Sequence, residues 1–267
     1  MSSSSSASRV ALRREVDARI GACTLAVAEE LLAIGALLGA EKSLRTALSD
    51  SGTSVEARQA LAAELFAGKV NATTAELLSV VVAVRWSDAN DLVEVVEELG
   101  AVVAFTAAEA DGSLDAVEEE LFLFGRAVEA NPELQMTLTN PAVAADAKAA
   151  LVRDLLSAAA PTATALLAHV AANLRGRRVD SAVTALSNLA AAQRERVVAQ
   201  VRVAVALDDA QSERLASALA RFAARPVHLN VVVDPSVIGG ASVRLGDEVI
   251  DGTMLTRLSQ ARRSIVG

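Results

Sequence analysis

Apolar residues recur at three- and four-residue spacing over the first 190 or so positions, and at every second position beyond them. Leu61 and Leu65 lie one helical turn apart, as do Val80 and Val84, and Leu92, Val96 and Leu99 continue the pattern. That period predicts helices throughout the region. From Val197 the pattern changes: Val197, Ala199, Val201, Val203, Val205 and Leu207 alternate with residues such as Gln200 and Arg202, which predicts a half-buried strand. Asp208-Asp209 is a good N-cap region for a following helix with an apolar stripe of Leu215, Leu219 and Phe222, stopped by Arg225-Pro226. Val227, Leu229, Val231 and Val233 predict a second strand. Asp234-Pro235 ends it, because proline has no N–H for a ladder. Gly239-Gly240 permits a bulge or a close backbone approach. Ala241, Val243 and Leu245 then alternate, Gly246-Asp247 makes a two-residue hairpin loop, Glu248 to Asp251 returns and Gly252 ends the strand. A final helix presents Leu255, Leu258, Ala261 and Ile265 on one face, with Arg257, Arg262 and Arg263 elsewhere.

The helical region repeats itself. Residues 26–100 lie over 116–190 without a gap at an offset of 90. Ala26-Val27 and Glu29-Glu30-Leu31 fall on Ala116-Val117 and Glu119-Glu120-Leu121, Gly35 on Gly125, Leu48 on Leu138, Leu77 on Leu167 and Arg85 on Arg175. Roughly 20 of about 75 positions are identical, where shared Ala/Leu/Val composition would give about 10%. Thr53-Ser54-Val55-Glu56 has the spacing of a capping box, and Asn140-Pro141 forces a chain break at the matching boundary of the second copy. The expected fold class is therefore mostly α with a small α/β C-terminal domain: two related helical bundles, then a mixed-sheet domain with a C-terminal helix. The expected divisions are a disordered serine-rich terminus (1–7), a first bundle (8–100), a second (101–190) and the α/β domain (191–267).

Charge is uneven along the chain. Residues 1–174 hold 12 basic and 24 acidic side chains while 175–267 hold 13 and 9, which supports two partner surfaces of different character. An acidic chain with 2% aromatic residues is a poor nucleic-acid binder. The longest clean apolar run, Leu31 to Ala40, is half of what a membrane span needs, so no insertion is expected. Met1 to Ala7 lacks the apolar stretch of a signal peptide, and Cys23 has no partner for a disulfide, which suits a reducing compartment.

No catalytic constellation is visible. The two histidines, His169 and His228, fall in different domains, with His169 reading as a partly buried helix residue. Zinc-ligand spacings, a nucleophile elbow and a Gly-Lys-Ser/Thr phosphate loop are absent from the sequence, so no cofactor or metal is expected. The acidic run Glu118-Glu119-Glu120 reads as a solvated helix start favoured by the macrodipole, and Trp86 as a core or interface anchor.

The C-terminal block carries a resemblance. Val233 to Gly240 (Val-Asp-Pro-Ser-Val-Ile-Gly-Gly), Val243 to Asp247, Val249 to Gly252 and the Arg-rich tail resemble the C-terminal signature of the delta subunit of bacterial F-type ATP synthases. The mitochondrial counterpart of that family is the oligomycin-sensitivity-conferring protein. The second copy, with Ala104 to Ala108, Asn131-Pro132-Glu133-Leu134 and Thr139 to Val143, resembles the family's usual single bundle. The first copy resembles the duplicated form of actinobacterial members, with Lys42 and Ser51 standing where the second copy has Pro132 and Pro141. The resemblance implies a non-catalytic peripheral-stalk subunit, on the cytoplasmic face of the bacterial membrane, that links the alpha/beta head to stalk subunit b and resists rotor torque. Its implied partners are the N-terminal helices of alpha, with beta left open, and the end of b. For the alpha helix the expected groove walls are Phe105, Ala108, Leu167, Val170 and Leu174; for b, Arg244, Leu258 and Arg262. Asp234, Pro235, Gly239, Gly240, Gly246, Asp247 and Gly252 are expected to shape turns. A second bundle is expected to engage another alpha terminus or the side of the stalk and so raise avidity. The competing reading is a helical-repeat adaptor outside the synthase.

Overall fold

The computed structural model describes residues 12–194, 197–223, 227–234, 237, 240–245 and 248–251. Residues 12–194 are helical almost throughout. Helical residues 12–18 (α1) lead through a short 3-10 turn into α2 (Leu25–Ala40), α3 (Lys42–Ser49), α4 (Val55–Phe66), α5 (Ala72–Ala83) and α6 (Ala89–Asp111). Then come α7 (Leu114–Ala130), α8 (Pro132–Thr139), α9 (Ala145–Leu155), α10 (Pro161–Ala172) and α11 (Val179–Arg194). The 90-residue repeat is visible element by element: α2 matches α7, α3 matches α8, α4 matches α9 and α5 matches α10.

The sequence boundary between residues 100 and 101 lies inside α6. This 23-residue helix supplies the last helix of the first copy and the first helix of the second. Its start is fixed by a capping box between Asp88 and Asp91, and its end by Gly112 in the left-handed conformation, φ 77°. From Leu99 to Thr106 every residue of this helix is buried, which is the signature of a helix packed all round rather than on one stripe. The two copies accordingly share one hydrophobic core, and residues 1–193 form one compact unit.

Close packing needs small residues where α2 and α6 cross. A Cβ on Gly100 would stand 2.9 Å from Leu32 Cγ and 3.3 Å from the Ala28 carbonyl oxygen. A Cβ on Gly35 would stand 2.7 Å from Glu97 Cγ. The matching glutamates of the two copies do the same job: Glu30 accepts from Asn71 N (2.8 Å) at the start of α5, and Glu120 from Ala160 N (2.9 Å) at the start of α10. Glu120 thus caps another helix and is not simply part of a solvated start. At α4 the cap is Ser54, which accepts from Ala57 N at 3.2 Å, one residue later than the expected box. Buried Arg58 donates to the carbonyl oxygens of Asp50 (2.8 Å) and Ala83 (3.3 Å), where α3 and α5 end.

Residues 194–267 form a second compact unit. Strands β1 (Val197–Val203), β2 (Val227–Val233), β3 (Ala241–Leu245) and β4 (Glu248–Asp251) make a mixed sheet in the order β2-β1-β3-β4. β1 and β2 run parallel, joined through α12 (Asp209–Ala223), while β3 is antiparallel to β1 and to β4. Asp208 and Gln211 cap α12 reciprocally, the side chain of each accepting from the backbone N–H of the other (2.6 and 3.0 Å). Val201, Val203, Leu219, Val227 and Val243 form the core. β1 is shorter than its alternation predicts: it ends at Val203, and Val205 is 75% exposed. The parallel partner β2 also ends at Val233, where Asp234 N donates to the Val203 carbonyl oxygen at 2.8 Å and closes the ladder.

Candidate functional site

A cleft of about 500 Å³ lies at the junction of the two copies. One wall is α6, with Glu94, Glu97, Glu98 and Ala101; Leu32 of α2 lies beside it. The other wall is Leu166, His169 and Val170 of α10, followed by Ala185, Leu186 and Leu189 of α11. Its floor is apolar and its edge is charged, a combination that suits a helical peptide with apolar anchors and a polar back.

A buried ionic cluster braces the cleft. The Glu97 side chain is only 9% exposed, and His169, Arg175 and Arg177 of the second copy surround it. His169 Nε2 donates to Oε1 at 3.1 Å, Arg175 Nη2 donates to Oε2, and Arg177 Nη2 stands 3.5 Å from Oε2. Burial alone would push the Glu97 carboxyl up. The hydrogen bonds and positive charges of His169 and Arg175 outweigh it and hold the carboxyl below its ordinary value. Asn173 Nδ2 faces His169 Nδ1 at 3.3 Å and orients the ring from its other side. Arg175 is left-handed, φ 47°, the only such non-glycine among the described residues. That conformation costs of order 1 kcal/mol or more and is held here by the ion pair and by the tight Leu174-to-Arg177 turn. Gly39 leaves room for the guanidinium, because a Cβ there would lie 2.7 Å from Arg175 Nη1. The spacing of Gly35 and Gly39, one turn apart on α2, is thus explained by one carboxylate and one guanidinium lying against that helix.

The expected groove residues divide. Val170 lines the cleft. Phe105, Ala108 and Leu167 have no exposed surface, and Leu174 is buried as well; these four pack in the core shared by the two copies. They were expected as groove walls, and their burial in the single core that the two copies share leaves them no open groove face. The residues that form the cleft instead, Glu97, Ala185, Leu186 and Leu189, carry no motif. Glu97 stands between Glu94 and Glu98, so nothing in the sequence marks it out.

In the smaller unit Arg244 lies on β3, opposite Gln200 of β1 and Val249 of β4. Asp234 closes the β1–β2 end and its carbonyl oxygen accepts from Val237 N at 3.0 Å, while Gly240 is left-handed, φ 79°. Pro235, Gly239, Gly246, Asp247, Gly252, Leu258 and Arg262 lie outside the described residues, as does the final helix. Trp86 is a core residue whose indole N–H donates to the Val81 carbonyl oxygen at 3.1 Å. Among the described residues no group of acidic, His or Cys side chains could hold a metal ion, and no helix is long and apolar enough to cross a membrane.

Comparison with known proteins covers both units. The sequence pattern of the ATP synthase delta (OSCP) subunit family matches residues 96–265, the second copy and the α/β unit. The ATP synthase subunit delta of Streptomyces griseus is 46% identical over 242 residues, 90% of this chain and 89% of that one. The subunit delta of Streptomyces coelicolor is 42% identical over 272 residues, spanning 99% of each chain. That of Nocardia farcinica is 41% identical over 98% of this chain and 97% of that one. These relatives therefore match the first copy too.

Proposed function

Since this chain belongs to the ATP synthase delta (OSCP) subunit family, we propose that it works as a peripheral-stalk subunit, tying the alpha/beta head to stalk subunit b at the cytoplasmic face of the membrane. The task is mechanical: rotation of the central stalk does work on the head only if the head is held still. The chain itself makes and breaks no bond. The observation that carries this reading is the family likeness running unbroken across both structural units.

The geometry suits the two ends of such a link. The junction cleft takes an N-terminal helix of alpha, its apolar side chains against Leu166, Val170 and Leu186 and its polar back against the Glu94 and Glu98 edge. The α/β unit, with the more basic composition, takes the end of b. Because α6 belongs to both copies, cutting the chain at residue 100 would sever a core helix, so the two ends are better separated by surface changes.

The test is purification of the tagged chain with its assembled complex. Ala185→Trp fills the cleft from an exposed position and is expected to weaken capture of the alpha/beta head while leaving b bound. Removal of residues 197–267 is expected to do the reverse. Recovery of neither head nor b with the wild-type chain overturns the proposal.

A further inference from the structure

The second copy carries an apolar helix face that the first copy keeps covered, and the repeat itself indicates what fits there. In the first copy the α2 stripe Ala28, Leu32, Gly35 and Gly39 lies under a second helix: Gly100 of α6 sits on Leu32 and Ala28, and Glu97 over Gly35. At the offset of 90 the same stripe in α7 is Glu118, Phe122, Gly125 and Glu129. There Gly125 meets only Val183, at 3.5 Å from a would-be Cβ. Phe122 is 64% exposed, and Leu123 beside it 54%. Their first-copy counterparts are Leu32, which is buried, and Ala33, which is small.

Two adjacent large apolar side chains in water are anchors awaiting a partner more than they are ordinary surface. Around them Ala116, Ala127 and Ala130 are exposed and short, so a second helix backbone could approach closely. Charge selects that helix. Residues 114–139 hold six acidic side chains and one basic, whereas the matching first-copy stretch, 24–49, holds three and two. The single cation, Arg126, is already paired with Glu129 at 2.9 Å. The face therefore favours an amphipathic helix flanked by Lys and Arg.

We propose that the Phe122–Leu123 face of α7 is a docking surface, separate from the junction cleft, for a basic amphipathic helix of the catalytic head. The proposal rests on the stalk reading above. Two weak grips on one head then act through effective concentration, which lengthens attachment without any single strong contact.

The test uses the intact, purified synthase with a photoreactive benzoylphenylalanine at position 122, and in a second preparation at position 185 in the cleft. Position 122 is expected to cross-link to a Lys/Arg-flanked helix of an alpha or beta subunit. In parallel, Phe122→Asp with Leu123→Asp is expected to speed dissociation of the chain from the isolated alpha/beta head about tenfold. Both positions are exposed, so helical circular dichroism and Tm should stay at wild-type values and report a folded variant. Cross-links from position 122 to residues 194–267 of the same chain, or to a second copy of it, overturn the proposal. So does an intact complex in which position 122 captures nothing and the double variant dissociates at the wild-type rate. A chain that never assembles with the head overturns the stalk reading together with this face, while links at 185 but not at 122 overturn this face alone.

Discussion

Replacing Glu97 tests the central claim that one buried carboxylate holds the two copies at their junction. Removing one member of a buried ion pair costs roughly 3–5 kcal/mol when the partner is left stranded. Here stranding is incomplete: Arg175 and Arg177 are 31% and 44% exposed and can turn to water, whereas His169, at 12%, cannot. Glu97→Ala is therefore expected to cost about 2–3 kcal/mol, and Glu97→Gln, which keeps the shape and loses the charge, about 1–2 kcal/mol. For a unit of this size each kcal/mol moves Tm by about 2–4 °C, so the alanine variant should melt roughly 4–12 °C lower. Thermal unfolding followed by helical circular dichroism and by Trp86 fluorescence, the single tryptophan in the core, reads this directly. The pH dependence is a second arm. The native Glu97 carboxyl sits below its ordinary value, so between its native and unfolded pKa values the unfolded chain binds the extra proton. Its contribution is thus complete above the ordinary carboxylate value, about 4.3, and disappears as pH falls through the lower native value. Glu97→Gln should flatten the acid limb of the stability profile and lower the plateau at neutral pH. An alanine variant that melts within 2 °C of wild type at pH 7, or a glutamine variant with an unchanged acid limb, would refute the argument.

Glycine substitutions separate backbone from side-chain crowding. Gly100→Ala meets Leu32 and the Ala28 carbonyl of a neighbouring helix and should destabilise by about 1–3 kcal/mol in urea unfolding. Gly39→Ala meets only the far end of Arg175, which can move, so the helix-propensity gain should bring it to within about 1 kcal/mol of wild type; equal losses at the two sites would contradict this account. Glu120→Ala removes the acceptor at the start of α10 and should cost about 1 kcal/mol, with faster hydrogen exchange at Ala160 as the local readout. Cys23 is buried and its thiol is pushed up to about 11 mainly by desolvation, so iodoacetamide at pH 8 should label it only when the chain unfolds. Rapid labelling of the native protein would show that the segment around Cys23 opens.

The sequence by itself determined the local elements and their order. The three-to-four-residue period of the first 190 positions makes that region helical, and the two-residue period after Val197 marks the strands, because burial on one face imposes the spacing of the element that carries it. The 90-residue repeat was legible for the same reason, since matched helices need matched apolar stripes. The C-terminal turn signature was specific enough to indicate the family, because its Gly and Pro positions answer to backbone geometry more than to packing. What only the tertiary structure decided was how the copies meet. Periodicity sees one helix at a time, so it could not show that α6 serves both copies. Nor could it show that Phe105 and Leu167 end in a shared core instead of a groove. The Glu97 cluster was illegible for a related reason. Glu97 lies more than seventy residues from the other members, and a glutamate, a histidine and two arginines acquire a joint meaning only when packing removes the water between them. The same distinction applies to Phe122: its sequence neighbourhood matches that of buried Leu32, and only the different neighbours of α7 leave it in solvent.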